Sequence, residues 1–137
     1  MTKIGVYVRI ILIFITFIFI SYCSAQEDTS EVSCKPCRQH PKVIGKGFIV
    51  HGALRYYNGT PSIRLWKIGT HRILGISEGL YYLKGYCNIP EWLETKLDWN
   101  IEIIGDFKVY PFDESKPGVM QYVCIDTAYN LKIVPLK

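Results

Sequence analysis

Two groups of residues in this chain have the types and spacing that could do chemistry. The first is Cys34-Lys35-Pro36-Cys37, two thiols separated by two residues. That spacing serves thiol–disulfide exchange when the pair opens a helix in a βαβ setting. Here the flanks are polar and include Pro36 and Pro41, so structural disulfides are the expectation. Haem attachment needs a histidine directly after the second cysteine, and Arg38 stands there. Zinc could recruit Cys34, Cys37 and His40, but a fourth ligand is not evident, and no metal or cofactor is expected. Cys87 and Cys124 complete a set of four disulfide candidates, for which three connectivities exist. The preferred arrangement ties at least one of Cys34 and Cys37 to the rest of the chain. A Cys87–Cys124 bond would staple its middle to its last third.

The second group is basic and aromatic. If Asn58-Gly59-Thr60-Pro61 is a four-residue loop between antiparallel strands, Arg55 stands opposite Arg64 and Ala53 opposite Trp66. Directly opposed like charges destabilise a sheet pair. Water can screen them, a nearby carboxylate can bridge them, or a bound anion can neutralise them. Tyr57 and Trp66 add aromatic surface beside the cations. Arg55, Tyr57, Arg64 and Trp66 are therefore the candidate ligand-binding residues, suited to an anionic ligand such as a cell-envelope glycan or an acidic protein surface. Asn58-Gly59-Thr60 is also a glycosylation sequon, but Pro61 directly after it is unfavourable, and the turn reading is preferred.

Catalytic residues are not expected. His51 and His71 stand isolated in predicted strands, and there is no nucleophile elbow, zinc-protease motif or phosphate loop. Glu102 and Asp106 share a strand face, but residues four apart on a strand are separated by about 13 Å, too far for a dyad.

The elements that must position these residues are mostly strands. Val43 to Ser77 reads as a three-stranded antiparallel meander, with turns at Asn58–Pro61 and at Gly69-Thr70, the latter as a two-residue turn with glycine first. The first strand runs from about Lys46 to Tyr57. Phe48, Val50, Gly52, Leu54 and Tyr56 share one face, and Ile49, His51, Ala53, Arg55 and Tyr57 the other. On the next two strands Leu65 meets Leu74 and Ile63 meets Ile76, an apolar match that supports the register. Leu80 to Leu83 suggests a further short strand. Asn88-Ile89-Pro90-Glu91 predicts a short helix, with Asn88 as the cap. Ile101 to Phe112 and Val119 to Thr127 are strands, and Leu131 to Leu136 extends or follows the last.

Three strands, a short helix and two more strands make the element order of an OB-like barrel. Gly52, Gly75 and Gly105 inside strands suit tightly coiled barrel strands. The expectation is an all-β domain with one short helix, a small five-stranded OB-like barrel, with an open β-sandwich as the alternative.

The segment Tyr57-Asn58-Gly59-Thr60-Pro61-Ser62-Ile63-Arg64-Leu65-Trp66, with Gly69-Thr70 and Arg72-Ile73-Leu74-Gly75, resembles a family of small exported bacterial proteins without an assigned activity. Asp98-Trp99, Gly105-Asp106-Phe107 and Pro117-Gly118-Val119-Met120 fit as well, so the resemblance covers roughly Phe48 to Leu131. It implies a bacterial, exported, single-domain protein and no site residue.

The beginning of the chain agrees with export. Lys3 and Arg9 flank or precede an apolar run from Ile10 to Ile20, and small residues at Cys23 and Ala25 precede Gln26. Residues 1–25 read as a cleaved signal peptide. Retention as an anchor through residues 10–22, or lipid attachment at Cys23, are the alternatives. Residues 26–42 form a polar, cysteine-containing arm and residues 43–137 the β-domain. Losing Lys3 and Arg9 would take the formal charge from +4 to +2, a mild bias that does not predict nucleic-acid binding. The expected function is an exported, non-catalytic β-domain that binds an envelope protein, glycan or other anionic ligand. Its expected place is the periplasm or cell envelope, with membrane contact only for export or anchoring. The alternative is a structural or accessory subunit of an envelope assembly.

Overall fold

A run of β-branched and aromatic residues becomes a strand here wherever its alternate side chains can be buried together. In the computed structural model, which describes residues 33–79 and 81–137, five runs do so. They are β1 (Phe48–Tyr56), β2 (Ile63–Lys67), β3 (Ile73–Ile76), β4 (Ile101–Pro111) and β5 (Gln121–Pro135). A single turn of helix, α1 (Glu91–Glu94), lies between β3 and β4. The predicted signal segment, residues 26–32 of the arm and Leu80 lie outside the described residues.

The strands close on themselves in the order β1-β2-β3-β5-β4. All seams are antiparallel except β3–β5, which is parallel. The fold is thus the OB-like barrel, and closure excludes the open sandwich. Leu65 pairs with Leu74 and Ile63 with Ile76, as the apolar match requires. Inward residues of every strand meet in one core that includes Val50, Leu54, Leu65, Leu74, Phe107 and Ile125. Leu93 of α1 and Ile89 before it join the same core, so the short helix serves as a plug. Burying one such side chain stabilises by about 1.5–3 kcal/mol.

Two glycines let the strands bend this tightly. Gly52 pairs with Gly105 across β1 and β4. A Cβ on Gly52 would sit 2.7 Å from both Leu65 Cδ1 and the Trp66 carbonyl oxygen. On Gly105 it would sit 3.0 Å from the Tyr129 carbonyl oxygen. Both lie in mid-strand, where a coiled barrel brings neighbouring backbones closest.

The arm is fastened to the barrel. Cys34 bonds to Cys87 and Cys37 to Cys124, so both cysteines of the Cys34–Cys37 pair reach the domain, but the expected Cys87–Cys124 staple does not form. The pairing follows from position. A 3-10 turn at Cys37–Gln39 packs against β5, and Cys37, Cys124 and Phe112 form a second small core. Hydrogen bonds add to the bonds between sulfurs, because Lys35 N–H donates to Gly85 O (2.8 Å) and Cys87 N–H to Lys35 O (3.0 Å). Asp126 accepts from both the Arg38 backbone N–H and the Arg38 guanidinium, each at 3.0 Å. Two disulfides in so small a domain point to an oxidising environment.

Four local expectations are corrected. Tyr81 to Leu83 do not form a strand; a chain leaving β3 toward α1 has no free edge there to pair with. Asn88 does not cap α1: its Nδ2 donates to Ser77 O (2.7 Å), and Pro90 occupies the cap position. The β2–β3 connection is wider than two residues. Thr70 N–H closes a turn on Lys67 O (3.2 Å), with Gly69 in third position at φ 80°, and Lys67 N–H then pairs with Arg72 O (2.9 Å). His71 consequently lies in that connection and not in a strand. The last strand takes the extending alternative and is continuous through Pro135, the part past Thr127 being held by pairing to β4.

Candidate ligand-binding face

β1 and β2 pair with Arg55 directly opposite Arg64 and Ala53 opposite Trp66, the register that a four-residue connection demands. The inward neighbours Leu54 and Leu65 are fully buried, which fixes the two arginines on the outer surface. Both guanidinium groups lie over the Tyr57 ring, with Cζ to centroid distances of 4.5 Å for Arg55 and 5.1 Å for Arg64. Their opposition is softened by the ring face, each such contact being worth about 0.5–1 kcal/mol at an exposed site.

Neither guanidinium has a carboxylate within ion-pair distance among the described residues. The ion pairs there are Arg38–Asp126 and His51–Asp106. Arg64 instead braces the β1–β2 loop: its Nε donates to Pro61 O (2.9 Å) and its Nη2 to Asn58 O (3.5 Å). The Arg55 Nε is buried without a hydrogen-bond acceptor. Of the three ways to relieve the like-charge pair, the carboxylate bridge is therefore absent among the described residues. Glu78 is occupied nearby, accepting from Ser62 Oγ and from Ile63 N–H (3.1 Å), where it starts β2.

Trp66 stands one outward position beyond Arg64 on β2, about 7 Å along the strand. It is 38% exposed, and its Nε1–H donates to Thr70 O (2.7 Å), which holds the indole toward the β2–β3 connection. Ile73 of β3 pairs with it. The structure thus gathers Arg55, Tyr57 and Arg64 into one cluster and sets Trp66 at its margin. No family model, curated protein or solved structure matches this chain.

The remaining polar groups make weaker sites. His51 Nδ1 lies 2.8 Å from Asp106 Oδ1, and Asn130 donates to the other oxygen (3.0 Å). These hydrogen bonds, that of Asn130 first, hold the Asp106 carboxyl below its ordinary value. The pair is exposed on the β1–β4 surface and has no nucleophile hydrogen-bonded to it among the described residues. Both cysteines of the exchange-like motif are bonded to other partners, which removes the thiolates that zinc or redox chemistry would require.

One feature escaped sequence reasoning. Arg72 lines two adjoining clefts, one of about 530 Å³ where the β2–β3 connection meets the loop from Lys116 to Met120, and one of about 330 Å³ bordered by Phe48 and Val50 of β1, Leu74 of β3 and Gln121 of β5. His71 and Lys116 line the larger cleft and Lys67 the smaller. The only trace in the sequence is the cation content of two distant turns, which nothing local brings together.

Proposed function

We propose that this protein is an exported, non-catalytic binding domain of the cell envelope, and that it takes an anionic ligand on the outer face of β1 and β2. The observation that supports this most is the Arg55–Arg64 pair. Two cations are held over the Tyr57 ring with no carboxylate among the described residues within ion-pair distance of either. A site with that surplus charge gains by accepting an anion, and the bracing of Arg64 against Pro61 and Asn58 means little side-chain entropy is lost on binding. The outer strands of an OB-like barrel are a platform that oligonucleotides and oligosaccharides use in other proteins. The disulfides, the leader and the resemblance to exported bacterial proteins favour the envelope as its location.

Retention on a sulfated-dextran resin across a salt gradient tests this reading. Arg55→Gln/Arg64→Gln should elute at clearly lower salt than the wild type. Lys96→Gln/Lys137→Gln, which removes the same charge elsewhere, should elute near the wild type. Equal shifts for the two double variants would reduce the effect to net charge and remove the site.

A second reading, an accessory subunit held by apolar contacts, is favoured by the exposed Ile49, Trp92, Trp99, Tyr129 and Ile133. It expects association at micromolar concentration in sedimentation runs and no dependence on the two arginines.

A further inference from the structure

The two ends of the barrel are finished differently. At one end Ile89 and Leu93 complete the core, and Ile89 and Glu94 share a cleft with Ile63 of β2 and Ile76 of β3. The other end holds the smaller Arg72 cleft, and alternation decides what lines it. The inward faces of β1, β2 and β5 read Phe48-Val50, Leu65-Lys67 and Gln121-Val123 at that end, and Arg72, directly before β3, continues the inward parity of Leu74. Val50, Leu65, Leu74 and Val123 are fully buried. One step further out on the same runs stand Phe48, Lys67, Arg72 and Gln121, so two inward positions carry a positive charge. They face each other, because Lys67 N–H donates to Arg72 O (2.9 Å). Like charges opposed in this way destabilise a ribbon. The ion pairs among the described residues, Arg38–Asp126 and His51–Asp106, include neither, and no carboxylate lines the cleft.

Arg72 is anchored through one nitrogen. Its Nη2 donates to Gln121 Oε1 (2.9 Å) and to Ser115 Oγ, and Gln121 is itself buried and fixed by donating to Asp113 O (2.9 Å). The Nε and Nη1 donors have no acceptor among the described residues, yet neither is buried. A fixed guanidinium thus keeps three of its five N–H groups for a ligand. Nη2 spends both of its protons on the anchor, so an oxyanion meets the remaining donors singly and not as a two-pronged clamp. The second charge has to come from Lys67, at the rim of the same cleft. The rest of the lining is apolar, with Val50 and Leu74 as floor and Phe48 as an exposed wall. A bare inorganic anion would leave that floor uncovered, and a neutral apolar molecule would leave the two charges opposed.

We infer that this barrel mouth is a second binding site, one for a small free organic acid. Its carboxylate sits between Lys67 and Arg72 and its short hydrocarbon chain lies on Phe48, Val50 and Leu74. The site goes beyond the proposed anionic face and does not depend on it, since Arg55 and Arg64 have the outward parity of β1 and β2.

Calorimetric titration of the oxidised protein with straight-chain acids from acetate to octanoate tests this. Each methylene laid on the floor should tighten binding by up to about fourfold until the cleft is full, after which the gain stops. Primary amides of matching length should bind at least about tenfold more weakly. Both comparisons use the unaltered protein, so they stand whether or not a variant folds. Lys67→Gln should weaken hexanoate binding about tenfold, and Phe48→Ser should flatten the dependence on chain length. Arg55→Gln/Arg64→Gln should leave hexanoate binding unchanged. Equal affinity from acetate to octanoate, equal affinity for acid and amide, or hexanoate binding lost in the Arg55/Arg64 variant and kept in Lys67→Gln would overturn the site while leaving the β1–β2 face standing. Sulfate binding as tightly as hexanoate would overturn the organic-acid assignment.

Discussion

Arg55 and Arg64 look equivalent in the sequence but are held differently. Arg64 supports the loop through Pro61 O, whereas Arg55 has only the Tyr57 ring and an unpartnered Nε. Hydrogen bonds from charged donors contribute about 1.5–3 kcal/mol when buried and less where water reaches them. Arg64→Gln is therefore expected to lower stability by about 1 kcal/mol. Arg55→Gln should leave it within about 0.5 kcal/mol, because relief of the like-charge pair offsets the lost ring contact. Urea unfolding of the two single variants checks the asymmetry. His40 carries a separate prediction. It is 3% exposed, packed edge-on to Tyr86 and Phe112, and its Nδ1 accepts from Lys42 N–H (3.1 Å). Burial first, and the nearby Lys42 charge with it, push its pKa below the ordinary value, and its Nε2 has no hydrogen-bond partner among the described residues. The unfolded chain then binds a proton that the native state refuses. The stability this gives is complete above about pH 6.5 and is lost as pH falls through the lowered native pKa. Thermal unfolding between neutral and mildly acid pH should show this decline, and His40→Gln should flatten it.

At the scale of elements, the seams of the barrel are unequal. β4 is paired along nearly its whole length on both sides, whereas β3 meets β5 only at Leu74–Ile76 against Gln121–Val123. Opening should start at that parallel seam. Amides of β3 and the first residues of β5 are expected to exchange faster than those in the middle of β4, as hydrogen exchange at native pH would show. Gly52→Ala should cost about 1–3 kcal/mol, since its Cβ has to displace Leu65 or the Trp66 carbonyl. Much of this level was legible from residues. Alternation fixed the faces of β1 and β4, and apolar matching fixed the β2–β3 register. The length of the Asn58–Pro61 loop then placed Arg55 against Arg64. What could not be read depends on closure. Disulfide partners are chosen by where the arm crosses β5, and the larger Arg72 cleft exists because the parallel β3–β5 seam brings two remote turns together. The wider β2–β3 connection was missed because Gly69 suits the third position of a turn as well as the first position of a tighter one.

The described domain is a small barrel with the end of its arm locked by bonds spanning 87 and 53 residues of sequence. In the chain-entropy account each closed loop of this size destabilises the unfolded state by about 4–5 kcal/mol at most, and measured losses run at about 2–5 kcal/mol. Cys37→Ser/Cys124→Ser should therefore lower the unfolding midpoint strongly and free the arm around His40, removing most of the pH dependence assigned to that residue. The ligand face is built on the barrel and not on the arm, so residual folded material should still bind. Where the ligand makes contact is measured most directly by amide-resolved NMR of the oxidised domain titrated with a sulfated dextran oligosaccharide. Shifts concentrated at Arg55, Tyr57, Arg64 and Trp66, shrinking as salt is raised, are the expected result. Shifts confined to the β4–β5 surface, or none at low salt, would contradict an anion site on β1 and β2.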